Sequence, residues 1–198
     1  MAGLGALAAL LSAPAFADPK ADMARAEEIV SGRCFLCHGM EGEAASQVFP
    51  RLAGQHSEYV AKQLADFKSG KRKSESMKAQ VEELTPAEMK ALGTFFEKKK
   101  AAPNQATDID ILAVGKYIFA KGNQFSGLPS CASCHGAKGY GTPLLPRLAG
   151  QHPRYIEDQI KQFNKRERTN DNAIMHTVAS KLTELETHAV AEYIATME

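Results

Sequence analysis

The chain has 198 residues, room for one or two domains at roughly 150 residues each. With 44% hydrophobic, 24% charged and 7% aromatic residues and no Trp, it is not a disordered tail, a collagen-like fibre or a polytopic membrane protein. Lys and Arg number 24 against 23 Asp and Glu, a net charge of +1. That lacks the basic excess of a chain held to phosphates, so no nucleic acid is expected as a partner.

Residues 1–17 read as a secretory signal: an apolar run from Leu4 to Phe16 closes on Ala15-Phe16-Ala17. The run falls short of the roughly 20 apolar residues of a membrane span. Its first residues carry no Lys or Arg, a departure that leaves an upstream start or a retained anchor as alternatives. The expected mature protein is exported and soluble, in the periplasm. Ala26, Ile29 and Val30 then mark one face of a helix. It runs into Cys34-Phe35-Leu36-Cys37-His38, followed by the string Pro50-Arg51-Leu52-Ala53-Gly54-Gln55-His56. Val60, Leu64 and Phe67 predict a second helix, Met77 follows in a polar segment, and Thr85-Pro86-Ala87-Glu88 is a capping box opening a helix striped by Met89, Leu92 and Phe96. Lys98 to Gln105 is charged, then small, then turn-forming, a domain boundary.

Beyond it the chain is written again. The string at 50–56 recurs letter for letter at 146–152, an offset of 96; Cys34 and Cys131 differ by 97, and Met77 and Met175 by 98. Ile156, Ile160 and Phe163 repeat the second helix, with Pro153 suited to its first turn, and Thr183 to Glu186 repeats the capping box. Only the Gly- and Pro-containing loop from Lys121 to Ser130 is an insertion. The expected organisation is a signal (1–17), an N-terminal domain (18–100), a linker (101–107) and a C-terminal domain (108–198). No period-two run is present, so both halves are expected to be all-α. Each is small enough that its apolar core is marginal, so something besides side chains should fill the middle.

Cys34-x-x-Cys37-His38 and Cys131-x-x-Cys134-His135 are c-type haem attachment signatures. Two thiols one helical turn apart can each form a thioether to a haem vinyl group, and the adjacent His lies under the iron. Structural zinc, a thioredoxin-like pair and local disulfides compete poorly. Zinc lacks a fourth ligand in either half, the redox pair lacks a βαβ setting, and a bridge across two residues is strained. Met77 and Met175 are the methionines that match across the repeat, and are read as the second axial ligands of His38 and His135. Thioether ligation raises the potential and closes the iron to oxygen chemistry, favouring electron transfer. His56 and His152 precede helix starts and are read as capping or surface residues; His188 is read as solvated.

These motifs together resemble the periplasmic dihaem cytochrome c4 family, two tandem class I cytochrome c domains, over about Ala21 to Glu198. The resemblance implies two covalently bound haem c groups on domains packed face to face about a pseudo-twofold axis. It implies that the Pro50 and Pro146 carbonyls fix His38 and His135, that Leu52 and Leu148 pack on the haems, and that Arg51 and Arg147 pair with propionates. The implied function is a one-electron carrier, not an enzyme, between a membrane quinol-oxidising complex and a terminal oxidase or reductase, with a loose membrane association compatible with that role. A dihaem subunit of a larger dehydrogenase of the flavocytochrome c type and, behind it, a dihaem peroxidase are the alternatives. Lys68, Lys71, Arg72, Lys73 and Lys78 around Met77, and Lys165, Arg166 and Arg168 before Met175, are expected either to steer acidic partners or to form a solvated face.

Overall fold

The computed structural model describes residues 18–198; the expected signal, residues 1–17, lies outside the described residues. Among the described residues the regular structure is helical, with two isolated bridge pairs and no strand. In the N-terminal half, α1 (Pro19–Ile29) starts at Asp18, whose carboxylate accepts from Lys20 N, with Pro19 in its first turn. It buries Ala26 and Ile29 and widens into a π-helical turn, Val30–Cys34, which delivers the first cysteine to α2 (Phe35–His38). Then come α3 (Ser57–Lys68), α4 (Glu75–Val81) and α5 (Pro86–Glu97), with α5 packed on both α1 and α3. The C-terminal half repeats this with α6 (Leu112–Lys121), α7 (Ala132–His135), α8 (Pro153–Asn164), α9 (Ile174–Ala179) and α10 (Glu184–Thr196). Both capping boxes form: Thr85 and Thr183 hydroxyls accept from Glu88 N and Glu186 N, and both glutamates accept in return from the threonine amides.

Helices α6 and α10 cross closely because Gly115 lies against the Ala189 carbonyl, where a Cβ has no room. The residues linking the halves have no regular structure but are pinned. The buried Glu192 carboxylate accepts from the Thr107 amide at 2.6 Å and the Thr107 hydroxyl at 2.5 Å, and Asn104 N donates to Ala195 O. The inserted loop is held too, by mutual bonds between Asn123 and Leu128 and by Asn123 Nδ2 donating to Glu186 Oε1.

The two halves meet in a self-complementary seam, as an isologous contact requires. Gln55 accepts from Arg147 N at 2.8 Å and donates to Arg147 O at 2.9 Å; Gln151 does the same to Arg51, at 2.8 and 3.0 Å. His56 Nε2 donates to Tyr140 O and His152 Nε2 to Ala44 O. The reading of these histidines as caps or surface groups is therefore corrected. Neither makes a side-chain cap, and His152 is buried, its Nδ1 accepting from Asn104. Burial pushes His152 below the usual histidine pKa, in keeping with this neutral tautomer. Arg72 and Arg168 also lie in the seam, only 8% and 6% exposed, so they are withdrawn from the steering surface. Each guanidinium instead stacks on the phenylalanine of its own half, Phe67 or Phe163, and bonds across the seam. His188 is not simply solvated: it bonds Glu157 at 2.7 Å and approaches Asp108 at 3.5 Å.

Candidate functional site

In each half the cysteine pair and histidine occupy one helical turn that a glycine ends in the left-handed region, Gly39 at φ +76° and Gly136 at φ +80°. The chain then folds back. Gly42 O accepts from Leu52 N and Ala53 N, and Gly139 O from Leu148 N and Ala149 N, at 2.7 and 3.1 Å in both halves. This double acceptance sets the Pro-Arg-Leu strings beside the histidines. His38 Nδ1 donates to Pro50 O and His135 Nδ1 to Pro146 O, each at 3.0 Å. The bond fixes the tautomer and leaves the Nε2 lone pair for a metal, the usual outer-shell arrangement of a ligating histidine. Burial lowers both histidine pKa values against the opposing carbonyl bond, so the rings are neutral at neutral pH, as ligation requires.

The first thiol of each pair is not tuned as a redox nucleophile. Burial raises Cys34, and pushes Cys131 up to about 11, opposite to the depression that activates a thiolate. All four cysteines are unpaired. Among the described residues no three His, Cys, Asp or Glu side chains converge to hold a metal ion. The donors therefore fit a metal that arrives in its own macrocycle and needs one imidazole from each motif.

The hydrophobic cluster of the N-terminal half brings Cys34, Leu52 and Met77 against one core of Ile29, Val30, Phe67 and Leu92. In the C-terminal half Cys131 and Leu148 join the corresponding cluster, with Val178 from α9. Met175 sits half-buried on α9, its amide donating to Asp171 Oδ2 at 2.5 Å, while Ser74 Oγ accepts from Met77 N at 3.3 Å. His176, beside Met175, turns away and bonds Phe163 O through Nδ1.

The two string arginines differ. Arg51 is spent on backbone carbonyls, Glu43 and, across the seam, Ala102 and Gly150. Arg147 lies over the Tyr140 ring at 4.4 Å, and its Nε is buried without a partner. A buried donor left unpaired costs roughly 1–3 kcal/mol, and a carboxylate of a bound macrocycle would relieve it. The seam residues escaped the motif reading, although one signal was available. The paired positions Arg51/Arg147, Gln55/Gln151, Tyr59/Tyr155, Gln63/Gln159 and Arg72/Arg168 hold the offset at 96 while the haem motif and the methionines drift.

The chain is similar to known proteins over most of its length. A family model described as "Cytochrome c" matches residues 112–198, and one described as "Cytochrome C oxidase, cbb3-type, subunit III" matches residues 21–96. The chain is 36% identical over 187 residues to cytochrome c4 of Thiocapsa roseopersicina, covering 92% of this chain and 94% of the relative. It is 35% identical over 167 residues to a thiosulfate dehydrogenase electron acceptor of Thiomonas intermedia (strain K12), covering 82% of this chain and 77% of the relative. The crystal structure of reduced recombinant cytochrome c4 from Pseudomonas stutzeri superposes with a TM-score of 0.84 at 31% identity, covering 91% of this chain and 99% of that one.

Proposed function

Because the chain belongs to the cytochrome c4 family, we propose that it shuttles single electrons in the periplasm from a membrane quinol-oxidising complex to a terminal oxidase or reductase. It is an electron-transfer protein, all-α, built of two tandem class I cytochrome c domains and carrying two covalently bound haem c groups. Bound haem supplies reversible one-electron iron chemistry. The protein's share is to hold it, to fill its axial positions and to exclude water.

In this reading Cys34, Cys37, Cys131 and Cys134 are the tethers, His38 and His135 the proximal ligands, and Met77 and Met175 the distal ones. Pro50 and Pro146 orient the imidazoles, Leu52 and Leu148 would pack on the macrocycles, and Arg51 and Arg147 would pair with the propionates, Arg147 through a buried Nε that has no partner in the protein. The observation that carries the reading is the repeated unit itself: one imidazole oriented by a proline carbonyl, two thiols a turn apart, and a methionine on a short helix downstream. Among the described residues no helix is long and apolar enough to cross a membrane. The test is a haem count with an optical spectrum in both redox states: two haems per chain and a methionine–iron band from each support the reading. Ready carbon monoxide binding at both irons would remove the carrier.

The thiosulfate dehydrogenase electron acceptor among the relatives favours one second reading, a dihaem partner of a larger dehydrogenase. Co-purification in fixed stoichiometry with a dehydrogenase would select it over a free shuttle.

A further inference from the structure

The seam contains two guanidiniums that share acceptors. Arg72 Nη1 donates to Gln63 Oε1 at 2.8 Å, and its Nη2 reaches Tyr155 Oη at 2.9 Å and Gln159 Oε1 at 2.8 Å. Arg168 mirrors it, with Nη1 to Gln159 Oε1 at 2.6 Å and Nη2 to Tyr59 Oη at 3.0 Å and Gln63 Oε1 at 3.3 Å. The acceptors are amide and phenol oxygens, with the Tyr155 phenol held below its usual pKa against burial by the two guanidiniums, and no carboxylate bonds either arginine. The buried Asp66 carboxylate is held instead by Lys62 at 2.5 Å and Asn170 at 2.7 Å. Asp171 attracts Arg168 from farther away but accepts from the Ala173 and Met175 amides. A like-charged pair out of water without a hydrogen-bonded counterion is expensive for a fold to hold. Its field is correspondingly strong, because the low dielectric screens it little.

The placement decides where that field acts. Arg72 lies 4.6 Å over the Phe67 ring, whose other contacts are in the cluster that gathers Cys34, Leu52 and Met77. Arg168 lies 4.5 Å over the Phe163 ring in the other half. Each arginine also hydrogen-bonds side chains of the half it does not belong to.

We propose that Arg72 and Arg168 form one shared positive charge centre that raises the reduction potentials of both haems together. Reduction removes a positive charge from each iron, so a fixed cation nearby favours the reduced form. The proposal rests on the two-haem reading, and it concerns these arginines rather than the ligands.

The test is a redox titration, resolved for the two haems, of the holoprotein and the variants Arg72→Met and Arg72→Lys. Arg72→Met is expected to lower both midpoints, seen as a several-fold fall in the reduced-to-oxidised ratio of each haem at fixed potential. Arg72→Lys keeps the charge and loses the fork, so it should weaken thermal stability while leaving the midpoints near those of the parent. Unchanged midpoints in Arg72→Met, a shift confined to one haem, or an equal shift in Arg72→Lys would each overturn the proposal. Should Arg72→Met not fold, Arg168→Met provides the same comparison from the other half. A protein lacking two haems would instead fail the underlying reading, which the spectrum reports before any titration.

Discussion

Arg147 and Arg51 occupy the same place in two copies of one string, yet only Arg147 keeps a buried Nε without a partner. Replacing Arg147 with Gln should therefore lower the potential of the second haem, whereas Arg51→Gln should chiefly loosen the seam, where it donates to Ala102 and Gly150. A redox titration of both variants checks the contrast: an unchanged second midpoint in Arg147→Gln would deny the propionate role. Met77 and Met175 invite a simpler substitution. Met77→Ala opens one coordination position and should give carbon monoxide binding at one haem per chain, with loss of about half of the methionine–iron band. The residues proposed as tethers, proximal ligands and distal ligands stand out in the sequence, because coordination and thioether chemistry demand fixed residue types at fixed spacing. The partners of Arg51 do not, because they are backbone carbonyls of its own half, the linker and the other half, and no side-chain pattern encodes them.

Helices were legible where an apolar stripe or a cap spelled them out. The stripe at Val60, Leu64 and Phe67 became α3, and the two capping boxes opened α5 and α10. Missing from that reading were α4, α6 and α9; α4 and α9 are short polar segments without an apolar stripe. Losing the cap at Thr183 by substitution with Ala should cost about 1 kcal/mol, measurable by denaturant unfolding of the holoprotein. Gly115→Ala should cost more, since its new methyl meets the Ala189 carbonyl on α10 and forces the helices apart. His188, on α10, makes stability depend on pH. Its hydrogen bond to Glu157 on α8 raises its pKa above the usual histidine value. A raised folded-state pKa contributes stability that is complete below the unfolded value, near 6.5, and is lost as pH climbs through the folded one. The thermal midpoint should fall over that interval, modestly because the pair is partly exposed, and His188→Asn should flatten the dependence.

At the scale of the whole molecule the repeat encodes its own interface. A segment that must pair with a copy of itself keeps its register, which is why residues 50–72 and 146–168 hold one offset while the flanking loops drift. That register was visible in the sequence; that it meant docking was not, because a single copy of the string also orients a histidine. The seam also rearranges the surface charge. With Arg72 and Arg168 buried and the exposed Lys68 engaged by Leu84 O, three further exposed cations, Lys71, Lys73 and Lys78, surround Met77 with one acid, Glu75, among them. The corresponding loop before Met175 offers Lys165 and Arg166 but sets Glu167 and Asp171 among them. An acidic redox partner should accordingly meet the N-terminal half first, and long-range attraction of this kind is screened within about 10 Å at 0.1 M salt. The second-order rate of electron transfer to such a partner should fall as ionic strength rises. Converting Lys71, Lys73 and Lys78 to Gln should remove most of that dependence, and converting Lys165 and Arg166 should leave it largely in place. Stopped-flow rates over a salt series measure both variants, and equal slopes for the two would show that neither face steers.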